Sequence, residues 1–227
     1  MLIYKKEVLN LEDTQNKLIS KTFIWMFLGL LCTGLTAWYT YDSNLAYNLF
    51  FDAYFKFILL LELVVVILFN NLFKKLPPVG VAVLFFIYAI INGLSLCAIF
   101  YVYELSSIVY LFIVSAILFG TLGFYGYKTN RDLSNWWPLL SGVLIGGLIL
   151  SIINFFLKSS MMDIILDWVI LFTFFGITIY DMNKIKALQY SNELDSNKLH
   201  IYGAMELYLD FINIFLRILS LFGKRRD

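Results

Sequence analysis

Seven stretches of this chain are apolar for about 20 residues at a time, the length a helix needs to cross the hydrocarbon of a bilayer. They lie at roughly 22–41, 54–73, 78–103, 108–127, 136–157, 162–186 and 201–222. In hydrocarbon every backbone N–H and C=O must be satisfied internally, so each stretch is predicted to be a helix. The connections are short and leave no room for a soluble domain. The reading is therefore an all-α integral membrane protein with one seven-helix transmembrane domain over 21–223. A polar tail over 1–20 precedes it and a short basic tail over 224–227 follows. Composition agrees: 15% of the 227 residues are charged and 61% are hydrophobic, where a soluble domain would carry about a quarter charged. A net charge of +1 offers no basic face for phosphates, which argues against nucleic acid as a partner.

Local signals fit this reading. Pro78 falls at the start of the third stretch and Pro138 in the first turn of the fifth, where a missing N–H costs little. Gly142 and Gly146 form a small-xxx-small pattern that allows helix backbones to approach closely. Cys32 and Cys97 sit in apolar runs and read as small hydrophobes, and His200, in a polar connection, has no second ligand for a metal. Lysine and arginine crowd the tail and alternate loops, with Lys5, Lys6, Lys74, Lys75, Lys128, Arg131 and Lys198 among them, while the opposite loops hold only Lys56 and Lys158. That bias places the N-terminus in the cytoplasm. Seven crossings then put Lys224, Arg225 and Arg226 outside, against the rule. Either the last segment is buried among the others, which is the reading adopted, or it turns back without crossing.

The seventh stretch carries the chemistry. Gly203, Glu206, Asp210, Asn213, Arg217, Ser220 and Lys224 recur every three or four residues, which aligns them along one helix face. Lipid would not tolerate that stripe, so the seventh helix is expected to be enclosed by the other six, its stripe lining a polar path. The plainer alternative is a satisfied network in which Arg217 pairs with Glu206 or Asp210. Asp181 closes the sixth stretch, and Thr178, one turn earlier, is placed to offer it a hydroxyl. For Asp181 to meet Asp210 the sixth helix must continue through Lys184 and Lys186, whose stems can reach the surface. Intramembrane carboxylates mark ion paths, proton relays or catalytic pairs, and two at hydrogen-bonding distance share a proton.

Three segments resemble the Bax inhibitor-1 family, also called the transmembrane Bax inhibitor motif family. They are Gly203-Ala-Met-Glu-Leu-Tyr-Leu-Asp-Phe-Ile-Asn-Ile-Phe-Leu-Arg-Ile-Leu219, Ile179-Tyr-Asp-Met-Asn-Lys-Ile-Lys186 and Gly126-Tyr-Lys-Thr-Asn-Arg-Asp-Leu-Ser134. The resemblance implies a seven-helix bundle with the last helix central. It implies that Asp181 and Asp210 form a pH sensor and gate, holding Ca2+ transiently, and that Lys75 or Lys74 replaces an arginine latch at the end of the second helix. Lysine lacks the bidentate fork, so such a latch is weakened. Glu62 matches an acidic position of some members, and Glu206 stands where many have a small polar residue. With Asn213 and Arg217 these two are the expected pore lining.

The expected function is a pH-sensitive cation leak, with Ca2+ as the transported ion, no resident cofactor and no catalytic residue. Its partners are the lipid bilayer, Ca2+ and protons, and the chain is expected to act as a monomer in the plasma membrane of a bacterium. Two or three carboxylates suit passage of Ca2+ rather than tight storage, which takes six to eight oxygens. The alternative from another class is a non-transporting regulator that binds a membrane protease or cell-death and stress machinery. A proton-coupled exchanger is a variant of the first reading. An intramembrane aspartyl protease is disfavoured, because Leu207-Tyr-Leu-Asp210 lacks the Gly-x-Gly run of that class.

Overall fold

The computed structural model describes residues 2–43, 54–188 and 196–226. Among them are seven long helices: α1 (Leu2–Asp42), α2 (Tyr54–Leu72), α3 (Pro78–Leu96), α4 (Leu105–Lys128), α5 (Trp136–Leu157), α6 (Ser160–Leu188) and α7 (Ser196–Phe222). The protein is all-α, and each helix falls on one of the seven apolar stretches. Five are long and apolar enough to cross a membrane by composition: Asn16–Asp42 within α1, Pro78–Val102, α4, α5 and α6. α2 and α7 fall outside that set, and α7 is the helix with Glu206, Asp210 and Arg217 in its middle.

Boundaries depart from the apolar runs where chemistry other than hydropathy decides. α1 starts at Leu2, because the polar tail is rich in Lys, Glu and Leu, all good helix formers. Near its end α3 tightens: Ala98 N–H reaches the Ser95 carbonyl, Phe100 that of Cys97 and Tyr101 that of Ala98, three residues back instead of four. A separate turn, Ile99–Val102, follows. α6 runs past Asp181 through Lys184 and Lys186 to Leu188, as the sequence required. His200 lies within α7, buried, its ring 5.9 Å from that of Trp25; it belongs to the helix and not to the connection where the sequence reading put it.

The chain divides into two compact units, Met1–Tyr101 with Lys186–Tyr208, and Val102–Ile185 with Leu209–Asp227. In the first, α3 packs on α1 and α2. Its core holds Phe69, Val81, Phe85, Ala89 and Tyr208, the rings of Phe85 and Tyr208 meeting edge to face at 5.8 Å.

In the second unit Phe211 and Phe215 of α7 meet Phe112 of α4, and Phe211 also meets Phe119. Tyr110, Ile117 and Phe124 of α4 and Phe155 and Phe156 of α5 are exposed, the surface a helix offers to lipid. Asn154 closes the α5–α6 corner: its side chain bonds both the N–H and the carbonyl of Ser159 and donates to Asp163 at 2.6 Å. After α7 the chain docks on the segment before α4. Glu104 N–H donates to the Lys224 carbonyl and Arg226 N–H to that of Val102, both at 2.9 Å, and Lys224 Nζ lies 2.6 Å from Glu104. α7 is unbroken from Ser196 to Phe222.

Close helix approach occurs at a glycine the small-xxx-small pattern did not mark. A Cβ on Gly126 of α4 would sit 2.5 Å from the carbonyl oxygen of Ile179 and 3.0 Å from its Cα, so α4 rests on the α6 backbone two residues before Asp181. A Cβ on Gly142 or Gly146 would meet nothing within 4 Å among the described residues. The pattern is therefore present in α5 without a helix pressed against it. In the loop after α4, Ser134 N–H donates to Asp132 at 2.9 Å, and hydrogen bonds from Ser134 hold that exposed carboxyl below the usual carboxylate range.

Backbone cannot yield to a new Cβ as a flexible side chain can. Gly126→Ala is expected to lower stability in detergent by about 1–3 kcal/mol, the cost of overpacking. Gly142→Ala is expected to change it by no more than about 0.5 kcal/mol. Thermal unfolding of the two variants checks this, and equal losses would contradict the contact.

Candidate functional site

A part-buried ion pair in the second unit joins α6 to α7. Arg217 Nη1 lies 2.6 Å from Asp167 Oδ1, and the Ser220 hydroxyl donates to Asp167 Oδ2 at 2.5 Å. Asp167 is buried, at 7% exposure, and both its oxygens are engaged. A carboxylate placed between apolar helices requires such compensation, because an unpaired charge there is costly. Arg217 thus pairs with Asp167, whereas the sequence had offered Glu206 or Asp210 as its counter-ion.

This contact ties one turn of α6 to one turn of α7. Asp181 lies two heptads beyond Asp167 on α6, and Asp210 one heptad before Arg217 on α7. At about 100° per residue each falls within about 40° of the residue that makes the ion pair, hence on the same side of its own helix as that residue. Counting from the Asp167–Ser220 contact, Asp210 is about 15 Å along α7 and Asp181 about 21 Å along α6. Both are buried, Asp181 at 6% exposure and Asp210 at 3%. Lys184, one turn on in α6, brings its ammonium to 4.0 Å from Asp181. The Thr178 hydroxyl donates to the Phe174 carbonyl at 2.8 Å, so its proton stays with its own helix instead of going to Asp181. This hydroxyl-to-backbone bond is the usual local competitor in helices.

The stripe on α7 is not uniformly enclosed. Asp210 is buried, whereas Glu206, Asn213 and Arg217 are half-buried and Ser220 is exposed. The apolar sides, with Leu207, Phe211, Ile214 and Leu219, are fully covered. Asn213 donates to the Leu209 carbonyl at 2.8 Å, and the Tyr202 hydroxyl donates to Glu206 Oε1.

A second polar cluster lies in the first unit, around Glu62. Ser95 donates to its Oε1, and so does the Asn92 amide, at 3.4 Å. Asn92 accepts from the Tyr208 hydroxyl at 3.0 Å, and that hydroxyl lies 2.6 Å from the Thr33 hydroxyl. Glu62 of α2 is thereby tied through neutral groups to α3, α7 and α1. Lys74 and Lys75 are exposed in the turn after α2, and Lys198 Nζ approaches the Lys74 carbonyl at 3.5 Å. Among the described residues no three His, Cys, Asp or Glu side chains gather as a resident metal would require.

The sequence reading passed over Asp167, although the rule that singled out Asp181 applies to it equally: it stands inside Ile164-Ile-Leu-Asp-Trp-Val-Ile170. Asn92, Ser95, Thr33 and Tyr208 gave no such signal, since a lone polar residue in an apolar helix has many uses. Removing the buried Tyr208 hydroxyl leaves Asn92 Oδ1 without its donor, so Tyr208→Phe is expected to cost about 1–3 kcal/mol in detergent. The exposed Tyr110→Phe is the control and should leave the unfolding temperature unchanged; equal stability of both variants would contradict the network.

Residues 15–227 match the family model described as Inhibitor of apoptosis-promoting Bax1. The chain is 37% identical over 214 residues to the inner membrane protein YbhL of Escherichia coli strain K12, covering 92% of each. It is 35% identical over 219 residues to an uncharacterized protein of Rickettsia prowazekii, covering 95% of this chain and 93% of that one. An uncharacterized membrane protein of Streptococcus pyogenes serotype M3 is 32% identical over 166 residues, covering 73% and 72%. The lipid-type surfaces of α4 and α5 and the membrane location of the Escherichia coli and Streptococcus pyogenes relatives agree on a multi-pass membrane protein. With a match running from residue 15 to the last residue of an all-helical chain, this protein belongs to the Bax inhibitor-1 family.

Proposed function

We propose that this protein is a pH-sensitive cation leak, with Ca2+ the ion passed, and that Asp181 and Asp210 are its proton-sharing gate. The observation that carries the reading is the burial of two carboxylic acids, Asp181 of α6 and Asp210 of α7, within one unit. Acids so placed in a membrane protein are costly to keep charged and are held for function. Protonation of one relieves repulsion from the other, so the pair changes charge as a unit. The ammonium of Lys184 lies 4.0 Å from Asp181, a positive charge beside the pair.

Transport follows from the same groups. A cation drawn to the deprotonated acids would complete its shell with water and with carbonyl oxygens, and so few carboxylates favour passage over retention. The half-buried stripe at Glu206, Asn213 and Arg217 supplies polar groups on the same helix.

Calcium flux from loaded liposomes, followed at several pH values, tests this. The wild type is expected to show a pH-dependent leak, and Asp181→Asn and Asp210→Asn are each expected to flatten its pH profile. A profile identical in all three proteins would remove the sensor role from these residues.

A further inference from the structure

We infer that Arg217 and Asp167 form a charge-balanced constriction on the cation path, in which Arg217 opposes cation passage and Asp167 cancels that opposition. The inference rests on the leak reading and assigns to it a selectivity pair distinct from the two gating acids.

The geometry separates this pair from a plain structural rivet. Asp167 is fully engaged, by the guanidinium on one oxygen and the Ser220 hydroxyl on the other. Arg217 is not enclosed to the same degree: its side chain is 34% exposed against 11% for Asp167, and its buried Nε has no hydrogen-bond partner among the described residues. An arginine kept only to hold two helices together would be expected to have its donors satisfied. Here one edge of the guanidinium holds Asp167 while part of the side chain is left open.

Position gives the pair its consequence. Arg217 stands one heptad, about 10 Å, from Asp210 and within about 20° of it around α7, so an ion moving along the stripe towards Asp210 meets Arg217 first. An uncompensated guanidinium at that point repels any cation. At the same end of this unit Asp163 is exposed one turn before Asp167, held by Asn154 at 2.6 Å. Acidic groups at the mouth of a path raise the local concentration of cations. Cations are gathered at Asp163, and the balance between Asp167 and Arg217 then decides whether they proceed.

Charge balance makes a prediction that a rivet does not. Arg217→Gln leaves Asp167 as an uncancelled anion and is expected to raise Ca2+ flux severalfold over the wild type. Asp167→Asn leaves the guanidinium uncancelled and is expected to lower Ca2+ flux severalfold and to raise chloride leak. The double variant should return close to wild-type flux, and Arg217→Lys, which keeps the charge and loses the fork, should stay near wild type. Ca2+ and chloride flux from liposomes holding equal amounts of monodisperse protein reads all four, with Asp167→Glu, which keeps the charge, expected to stay near wild type; should Asp167→Asn not fold, an unchanged or lowered Ca2+ flux in Arg217→Gln overturns the inference by itself. Flux changes of the same sign in Arg217→Gln and Asp167→Asn, or no change in either, would overturn the inference and leave the leak reading standing. A wild type that leaks no Ca2+ at any pH would overturn both.

Discussion

A carboxylate buried between apolar helices persists only with a counter-ion and satisfied lone pairs, and at Asp167 that requirement ties two helices together. Arg217 and Ser220 meet the demand from α7, and in doing so they fix which turn of α7 faces which turn of α6. Two heptads along α6 and one along α7 stand Asp181 and Asp210, the acids of the proposed gate, each on the side of its helix that carries the ion pair. Gly126 contributes from the other side: the absence of its side chain lets α4 rest directly on the backbone at Ile179, close to Asp181.

The polar residues divide by kind between the two units. Around Glu62 the partners are neutral, an amide and hydroxyls from Asn92, Ser95, Tyr208 and Thr33, and they bind four helices by hydrogen bonds. Around Asp167 the partner is a full positive charge, and Asp163 and Glu104 add acids at the same end of that unit. Neutral networks in a membrane interior specify packing at little electrostatic cost. Charged ones are costly, so a buried acid persists where it is paired, as Asp167 is with Arg217.

Much of this was legible in the sequence, for reasons that can be named. Backbone satisfaction in hydrocarbon forces helices, so the seven apolar runs foretold seven helices and an all-α membrane protein. Asp181 and Asp210 stood out because charge in an apolar run is rare. Asp167 meets the same criterion, but a single acid in an apolar run names no partner, whereas the polar residues of the last helix recur every three or four positions along one face. Pairing was not legible at all: Arg217 could be placed on a face, but only packing chooses Asp167 over Glu206. The glycine reading failed for a related reason, because the spacing at Gly142 and Gly146 permits a close approach without supplying a helix to make it. His200 was misplaced because a polar first turn reads like a loop.

The account depends on Asp181 and Asp210 facing one another across the α6–α7 seam, and thiol cross-linking measures that directly. With Cys32 and Cys97 replaced, cysteines at 181 and 210 should be joined by a short bifunctional thiol reagent in the membrane-embedded protein. Cysteines at 179 and 210 should not be joined, since Ile179 faces Gly126 on α4. Cross-linking of the second pair in preference to the first would contradict the facing arrangement and the gate built on it.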